Sequence, residues 1–110
     1  MIWRVRDRAT FEALTRAPRH RVGPVALRSC RDGSDTPARV AYAVGRRTGT
    51  AVDRNRIRRR LRAAVAANAV HLHRGAAYLF EADRAVLSLA FADLQGVVGR
   101  LVRRAGEDRS

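Results

Sequence analysis

This chain of 110 residues contains no lysine, one cysteine, and ten acidic residues against 23 arginines. Each scarcity excludes something. The lone Cys30 rules out an intrachain disulfide and fits a reducing compartment. Its apolar-leaning surroundings mark it as a small buried hydrophobe rather than a reactive thiol. No apolar run approaches the roughly 18 residues of a membrane span. The N-terminal "MIWRVRDRATF" carries charge where a signal peptide needs its apolar segment. A soluble, cytoplasmic protein is expected. The acids Asp7, Glu12, Asp53, Glu81, Asp83 and Asp93 are scattered, with no obvious general acid/base pair, so no catalytic residue is assigned. His71 and His73 lack the cysteine or carboxylate that would complete a metal site and read as surface residues. The absence of lysine itself carries little weight, since a GC-rich genome produces the same bias.

What is present is a core and a large positive charge. At 46% hydrophobic the chain can bury a real interior, and its length suits one domain over 1–110, with a flexible tail in the last few residues. The net charge of +13 costs a compact fold self-repulsion, and an acidic partner is the usual compensation. Nucleic acid is the first candidate and an anionic membrane surface the second.

Periodicity predicts the order α-β-β-α-β-α, an α+β fold around a small sheet. "DRATFEALTRA" is a helix from Asp7 to about Ala17, stopped by Pro18. A strand follows from roughly Val22 to Cys30, with Pro24 at an edge or irregularity near its start. The turn cluster Asp32 to Pro37 leads to a second strand, Arg39 to Val44, and the two strands are expected to form a hairpin. A helix spans about Ala51 to Asn68, a short apolar strand Ala76 to Ala82, and a last helix Ser88 to Ala105. Gly96 and Gly99 inside that helix each cost about 1 kcal/mol relative to alanine, which points to close packing on the sheet.

The segment "GRRTGTAVDRNRIRRRLRAA", Gly45 to Ala64, holds eight arginines and one acid, Asp53. On a helical wheel Ile57, Leu61, Ala64, Val65 and Asn68 share one side, while Asn55, Arg56, Arg59 and Arg62 share the other. Arg58 and Arg60 flank the apolar stripe, where long side chains can snorkel past it. An ordinary solvated helix mixes charge signs, yet Arg54/Arg58, Arg56/Arg60 and Arg58/Arg62 are like pairs at i,i+4. That repulsion points to neutralisation by a bound polyanion, and guanidinium grips phosphate with paired hydrogen bonds. The first turn, with its free N–H groups facing a Gly/Thr loop, is a second place for phosphate. Asn55 among arginines can bond a base or ribose hydroxyl, or cap locally. "GRRTGT" lacks the GxxxxGK core of a nucleotide-binding P-loop.

These residues resemble a known signature. "RVAYAVGRRTGTAVDRNRIRRRLRAA" is similar to the central motif of the bacterial ribonuclease P protein component: a strand, the basic pair Arg46-Arg47, a loop with Gly49, Ala51-Val52, the Arg54-Asn55-Arg56 core, and the basic run Arg58 to Arg62. "RVRDRATFEAL" looks like the family's N-terminal segment, with Phe11 at its aromatic position, and the resemblance covers essentially the whole chain. It implies an α/β sandwich with a left-handed βαβ crossover. It also implies assistance in removing the 5′ leader of precursor tRNA, with cleavage by an RNA subunit that mainly holds the Mg²⁺. On that resemblance Arg46, Arg47, Arg54, Asn55, Arg56, Arg58, Arg59, Arg60 and Arg62 meet RNA, while Phe11, Arg28, Ala41 and Ala43 border a cleft for the single-stranded leader. There are three departures from the pattern. Ala63 and Ala64 stand where a glutamate is frequent, and Thr15 and Arg28 stand where aromatics are frequent, so the cleft relies less on stacking and more on charge.

Two other classes compete on composition. A ribosomal-type structural RNA-binding protein is similarly small and basic, and only the specific motif weakens it. A DNA regulator inserting the arginine helix in the major groove would want two helices joined by a short turn, whereas strands flank this helix; no DNA partner is expected.

Overall fold

The computed structural model describes residues 1–107; the expected C-terminal tail lies outside the described residues. The chain runs β1 (Trp3–Arg4), α1 (Arg8–Arg16), β2 (Arg19–Val22), β3 (Val25–Arg31), β4 (Arg39–Ala43), α2 (Ala51–Ala67), β5 (Ala76–Ala82) and α3 (Phe91–Glu107). Short 3₁₀ segments occupy Arg46–Thr48, Ala69–His71 and Arg84–Ser88. The strands form one mixed sheet in the order β1-β4-β5-β3-β2. The three helices fall where the periodicity predicts them, with Asp7 as the N-cap of α1 and Asn68 as the C-cap of α2.

The expected strand from Val22 to Cys30 starts later, as β3 at Val25, and a strand the sequence did not announce, β2, precedes it. Gly23 adopts φ +57° and, with Pro24, turns the chain, so that β2 and β3 pair antiparallel from Val22↔Val25 to Arg19↔Arg28. In that turn the missing proline N–H removes no ladder bond. β2 reads "RHRV" and lies at the sheet edge, and β1 is only two residues long; neither carries an apolar alternation to announce it.

The expected hairpin between that run and Arg39–Val44 does not form. β5 lies between them, antiparallel to β3 (Leu27↔Phe80) and parallel to β4 (Tyr42↔Phe80). The reason is composition: Ala76 to Phe80 are all buried, as suits a strand covered on both faces. β4 and β5 therefore make a parallel βαβ unit with α2 as its crossover. The turn cluster after β3 instead crosses the start of β5, where the Asp32 N–H donates to Gly75 O (3.2 Å) and the Gly75 N–H donates to Thr36 O (2.9 Å).

Alternation along the strands builds two unequal cores. Val25, Leu27, Val40, Tyr78 and Phe80 face α2 and α3, which contribute Ile57, Leu61, Leu94, Val98 and Leu101. On the other face Ala77 and Leu79 meet Leu14, the one buried residue of α1, with Val5, Cys30 and Ala41 partly covered around them. Each fully buried large aliphatic is worth about 1.5–3 kcal/mol, so the α2/α3 side holds the fold and the α1 side stays open. Cys30 is half-buried in that smaller cluster.

The two helix glycines separate. Gly99 packs against the end of α2 rather than the sheet, where a Cβ would stand 2.8 Å from Asn68 Oδ1; around Gly96 nothing lies within 4 Å. The expectation of close packing on the sheet holds for neither.

Candidate nucleic-acid interface

The arginine segment is held at its start by a dense polar knot. Gly49, at φ +150°, approaches so closely that a Cβ there would lie 2.6 Å from Asp53 Oδ2 and 2.7 Å from Arg84 Nη1. Thr50 then caps α2: its hydroxyl accepts the Asp53 N–H (3.1 Å), and Asp53 Oδ2 accepts the Thr50 N–H (3.2 Å). Arg84 donates to the same carboxylate oxygen at 2.6 Å. The Arg84 hydrogen bond, followed by the Thr50 N–H, holds the Asp53 carboxyl below its ordinary range. This corrects the reading of the first turn as a vacant phosphate site: the capping box uses one of its N–H groups and sets a carboxylate there. The T-x-x-D signal was present in "TAVD".

Beyond the cap, α2 sorts largely as the wheel predicts. Ile57, Leu61, Ala64 and Val65 are buried, and Asn68 donates to Ala64 O (2.9 Å) and Gln95 O (3.1 Å). Asn55, Arg56, Arg59 and Arg62 are exposed, as are Arg46 and Arg47 in the preceding turn, while Arg54, Arg58 and Arg60 are half-buried. Arg60 reaches back to donate to Leu89 O, and Arg58 donates to Asn55 Oδ1 at 3.1 Å. Asn55 therefore steadies an arginine and does not cap the helix. The Arg62 guanidinium lies over the Tyr42 ring, 5.7 Å from its centroid, and Tyr42 stacks on Phe80 at 6.1 Å. Burial pushes the Tyr42 phenol up to about 12 against the opposing pull of Arg62, so the ring stays neutral.

Apart from Asp53 in its capping box, the acids are placed elsewhere. Glu81 pairs with Arg19 and Arg28, Asp83 with Arg21, Asp32 with Arg39, Asp35 with Arg74, Glu12 with Arg8 and Asp53 with Arg84. Among the described residues, none of the arginines from Arg46 to Arg62 pairs with a carboxylate. Each like pair at i,i+4 destabilises a helix by about 0.2–0.5 kcal/mol, less than the burial of Ile57 or Leu61 alone returns. Packing wins, and α2 can present concentrated charge to solvent without unfolding.

On the α1 side, Phe11 is 43% exposed and belongs to neither core cluster. Ala41 is half-buried and Ala43 exposed on the same sheet face, leaving a shallow, small-residue floor beside the Phe11 helix. Arg28 shares this face but is engaged: it donates to Thr15 O (3.1 Å) and Ala17 O (2.9 Å) at the end of α1 and to Glu81 at 3.3 Å. It fixes the helix that carries Phe11. Sequence reasoning assigned no role to Arg84 or Tyr42. Arg84 has no local signal, since its partner lies 31 residues away. Tyr42 likewise has no local signal, since the guanidinium it meets, Arg62, stands on another element.

Comparison with known proteins gives this arrangement its context. The family described as Ribonuclease P matches residues 2–106. The ribonuclease P protein component of Symbiobacterium thermophilum is 33% identical over 105 residues, covering 94% of this chain and 91% of its own. That of Acidothermus cellulolyticus is 33% identical over 110 residues, covering 98% and 92%. In fold, the RNase P protein from Thermotoga maritima matches with a TM-score of 0.78 at 19% identity, over 92% of this chain and 96% of that one. The RNase P protein of Staphylococcus aureus matches with a TM-score of 0.77 at 17% identity, over 94% of each. Family match, relatives and fold agree with the motif: the chain belongs to the ribonuclease P protein component family.

Proposed function

We infer that this chain serves as the protein subunit of ribonuclease P, binding the catalytic RNA subunit and the 5′ leader of precursor tRNA and so assisting endonucleolytic removal of the leader. The observation that carries this reading is the arginine array of Arg46, Arg47, Arg56, Arg59 and Arg62, exposed and unpaired with acids among the described residues. Each phosphate it neutralises releases condensed counterions, which makes the binding salt-dependent. Asn55 adds an amide that can read a base or ribose once RNA displaces its bond to Arg58. The open α1 face, with Phe11 beside Ala41 and Ala43, suits an unpaired leader: small residues admit the strand and the ring can stack a base. The relatives favour this role over that of a ribosomal structural protein.

Mg²⁺, when bound, supplies charge neutralisation at the reacting phosphate and activation of the attacking water. This chain's own donors do not suit it. Among the described residues no three His, Cys, Asp or Glu side chains converge, and Asp32, Asp53, Glu81 and Asp83 are each held by arginine. The ion, and with it the cleavage chemistry, is assigned to the RNA. No helix among the described residues is long and apolar enough to cross a membrane, and we place the work in the cytoplasm with the RNA partners.

The test is reconstitution. The chain is mixed with ribonuclease P RNA and a precursor tRNA at low Mg²⁺, and the rate of leader removal is compared with RNA alone. Stimulation is expected. Unchanged cleavage, with binding to any structured RNA, would leave a general RNA-binding protein.

A further inference from the structure

Asp53 is the one acid among the eight arginines of Gly45–Ala64, and two demands on it conflict. As the third residue of α2 it closes the capping box with Thr50 and sets a negative charge at the positive end of the helix dipole. The same charge stands three residues before Arg56, within i,i+3 reach of a guanidinium assigned to phosphate. Left to itself, the carboxylate would draw Arg56 back onto the helix and repel an RNA backbone. Neither is seen: Arg56 is exposed and meets no carboxylate among the described residues. Asp53 Oδ2 instead takes Arg84 Nη1, at 2.6 Å, from outside the arginine segment.

The 3₁₀ segment Arg84–Ser88, which delivers that guanidinium, is fixed on both sides. Asp83 accepts the Ala85 N–H (2.9 Å) and pairs with Arg21 (2.7 Å), holding the turn out of β5. Val86 is fully buried in the larger core, and Leu89 O accepts from Arg60, two turns further along α2. The segment therefore lies against α2 as a strap, with Arg84 at the end nearest the cap. Gly49 leaves the space for the pair, since a Cβ there would press on both partners.

Resting on the proposed role above, we propose that Arg84 is a positioning residue for RNA binding: it neutralises Asp53, so that the cap keeps its carboxylate and Arg56 stays outward for phosphate. It acts through Asp53 and Arg56 and does not itself grip the RNA. Asp53 separates this role from a direct contact, because only the first depends on the charge at that position.

The full chain and its variants are titrated with labelled ribonuclease P RNA by anisotropy over a range of salt, at a temperature where melts show each variant folded. Arg84→Ala should weaken binding about three- to tenfold and lower the slope against log salt by about one phosphate contact. Arg84→Lys keeps a cation for the carboxylate and should bind nearly as the parent does. The decisive variant combines Arg84→Ala with Asp53→Asn. Asparagine keeps an acceptor for the Thr50 N–H and removes the charge, so affinity and slope should return to the parent's. A double variant as weak as Arg84→Ala would overturn the proposal, since a direct contact or a purely structural tie is lost whatever stands at 53. So would Arg84→Ala binding as the parent does, or Arg84→Lys losing as much as Arg84→Ala. A parent chain that binds no ribonuclease P RNA would overturn the proposed function, and this role with it.

Discussion

Individual arginines in this chain have different tasks, and their partners distinguish them. Arg84 and Arg28 are tied to carboxylates and carbonyls and hold elements together, whereas Arg56 and Arg59 point outward unpaired. Replacing Arg56 and Arg59 by alanine should therefore lower the slope of log binding constant against log salt by about one to two phosphate contacts, with little change in melting temperature. An unaltered slope would take both out of the interface. Phe11 is the other single residue whose surroundings are decisive. Because it lies outside both cores, Phe11→Ala should weaken binding of precursor tRNA more than of mature tRNA while thermal stability holds. Equal loss for the two RNAs would move Phe11 away from the leader. At this scale the sequence was most readable where chemistry repeats at short range, as in the Arg54-Asn55-Arg56 core. It was silent where a partner arrives from afar, as Arg84 does.

Elements were legible in proportion to how much apolar pattern each one buries. α2 and α3 carry full stripes, and β5 is continuously apolar; all three stand where the pattern puts them. β1 and β2 lie at edges, bury little and left no periodic trace, and the β2–β3 turn was hidden inside what reads as one strand. The pairing of β5 between β3 and β4 depends on competition among strands for the centre of the sheet, which no window of neighbouring residues reports. The glycines of α3 give a test at this level. Gly96 faces open space, so Gly96→Ala should stabilise by about 0.5–1 kcal/mol. At Gly99 a Cβ would press on Asn68, whose amide is fixed by two hydrogen bonds. Overpacking of this kind costs about 1–3 kcal/mol, so Gly99→Ala should lower the melting temperature. Paired thermal melts of the two variants check both signs.

For the molecule as a whole, charge is segregated: most acids stitch the scaffold, while eight arginines gather on one helix and its approach loop with Asp53 the one acid among them. The stitches respond to pH in a predictable direction. The Ser34 hydroxyl and N–H, with Arg39 adding to them, hold Asp32 at about 2, and hydrogen bonds likewise keep the Asp7 and Asp53 carboxyls below their ordinary range. A depressed folded-state value means the stabilisation is complete above the ordinary aspartate range near 3.9 and is lost as pH falls through the folded value. Melting temperature should therefore hold from neutrality to about pH 4 and fall between there and about pH 2. Asp32→Asn should flatten part of that fall, and an identical profile in the variant would deny Asp32 its share.

The central place of β5 also governs the order in which this protein can come into being. A nascent chain presents the whole arginine helix before Ala76–Ala82 has been made, and until that strand arrives β3 and β4 have no common neighbour to join them. The helix then lacks Tyr78 and Phe80, two of the residues its apolar stripe packs against. Contacts of such long sequence separation form late and together. The cationic surface thus acquires its fixed shape only when synthesis is nearly complete, and a chain truncated before β5 would offer RNA the charge of this protein without its geometry.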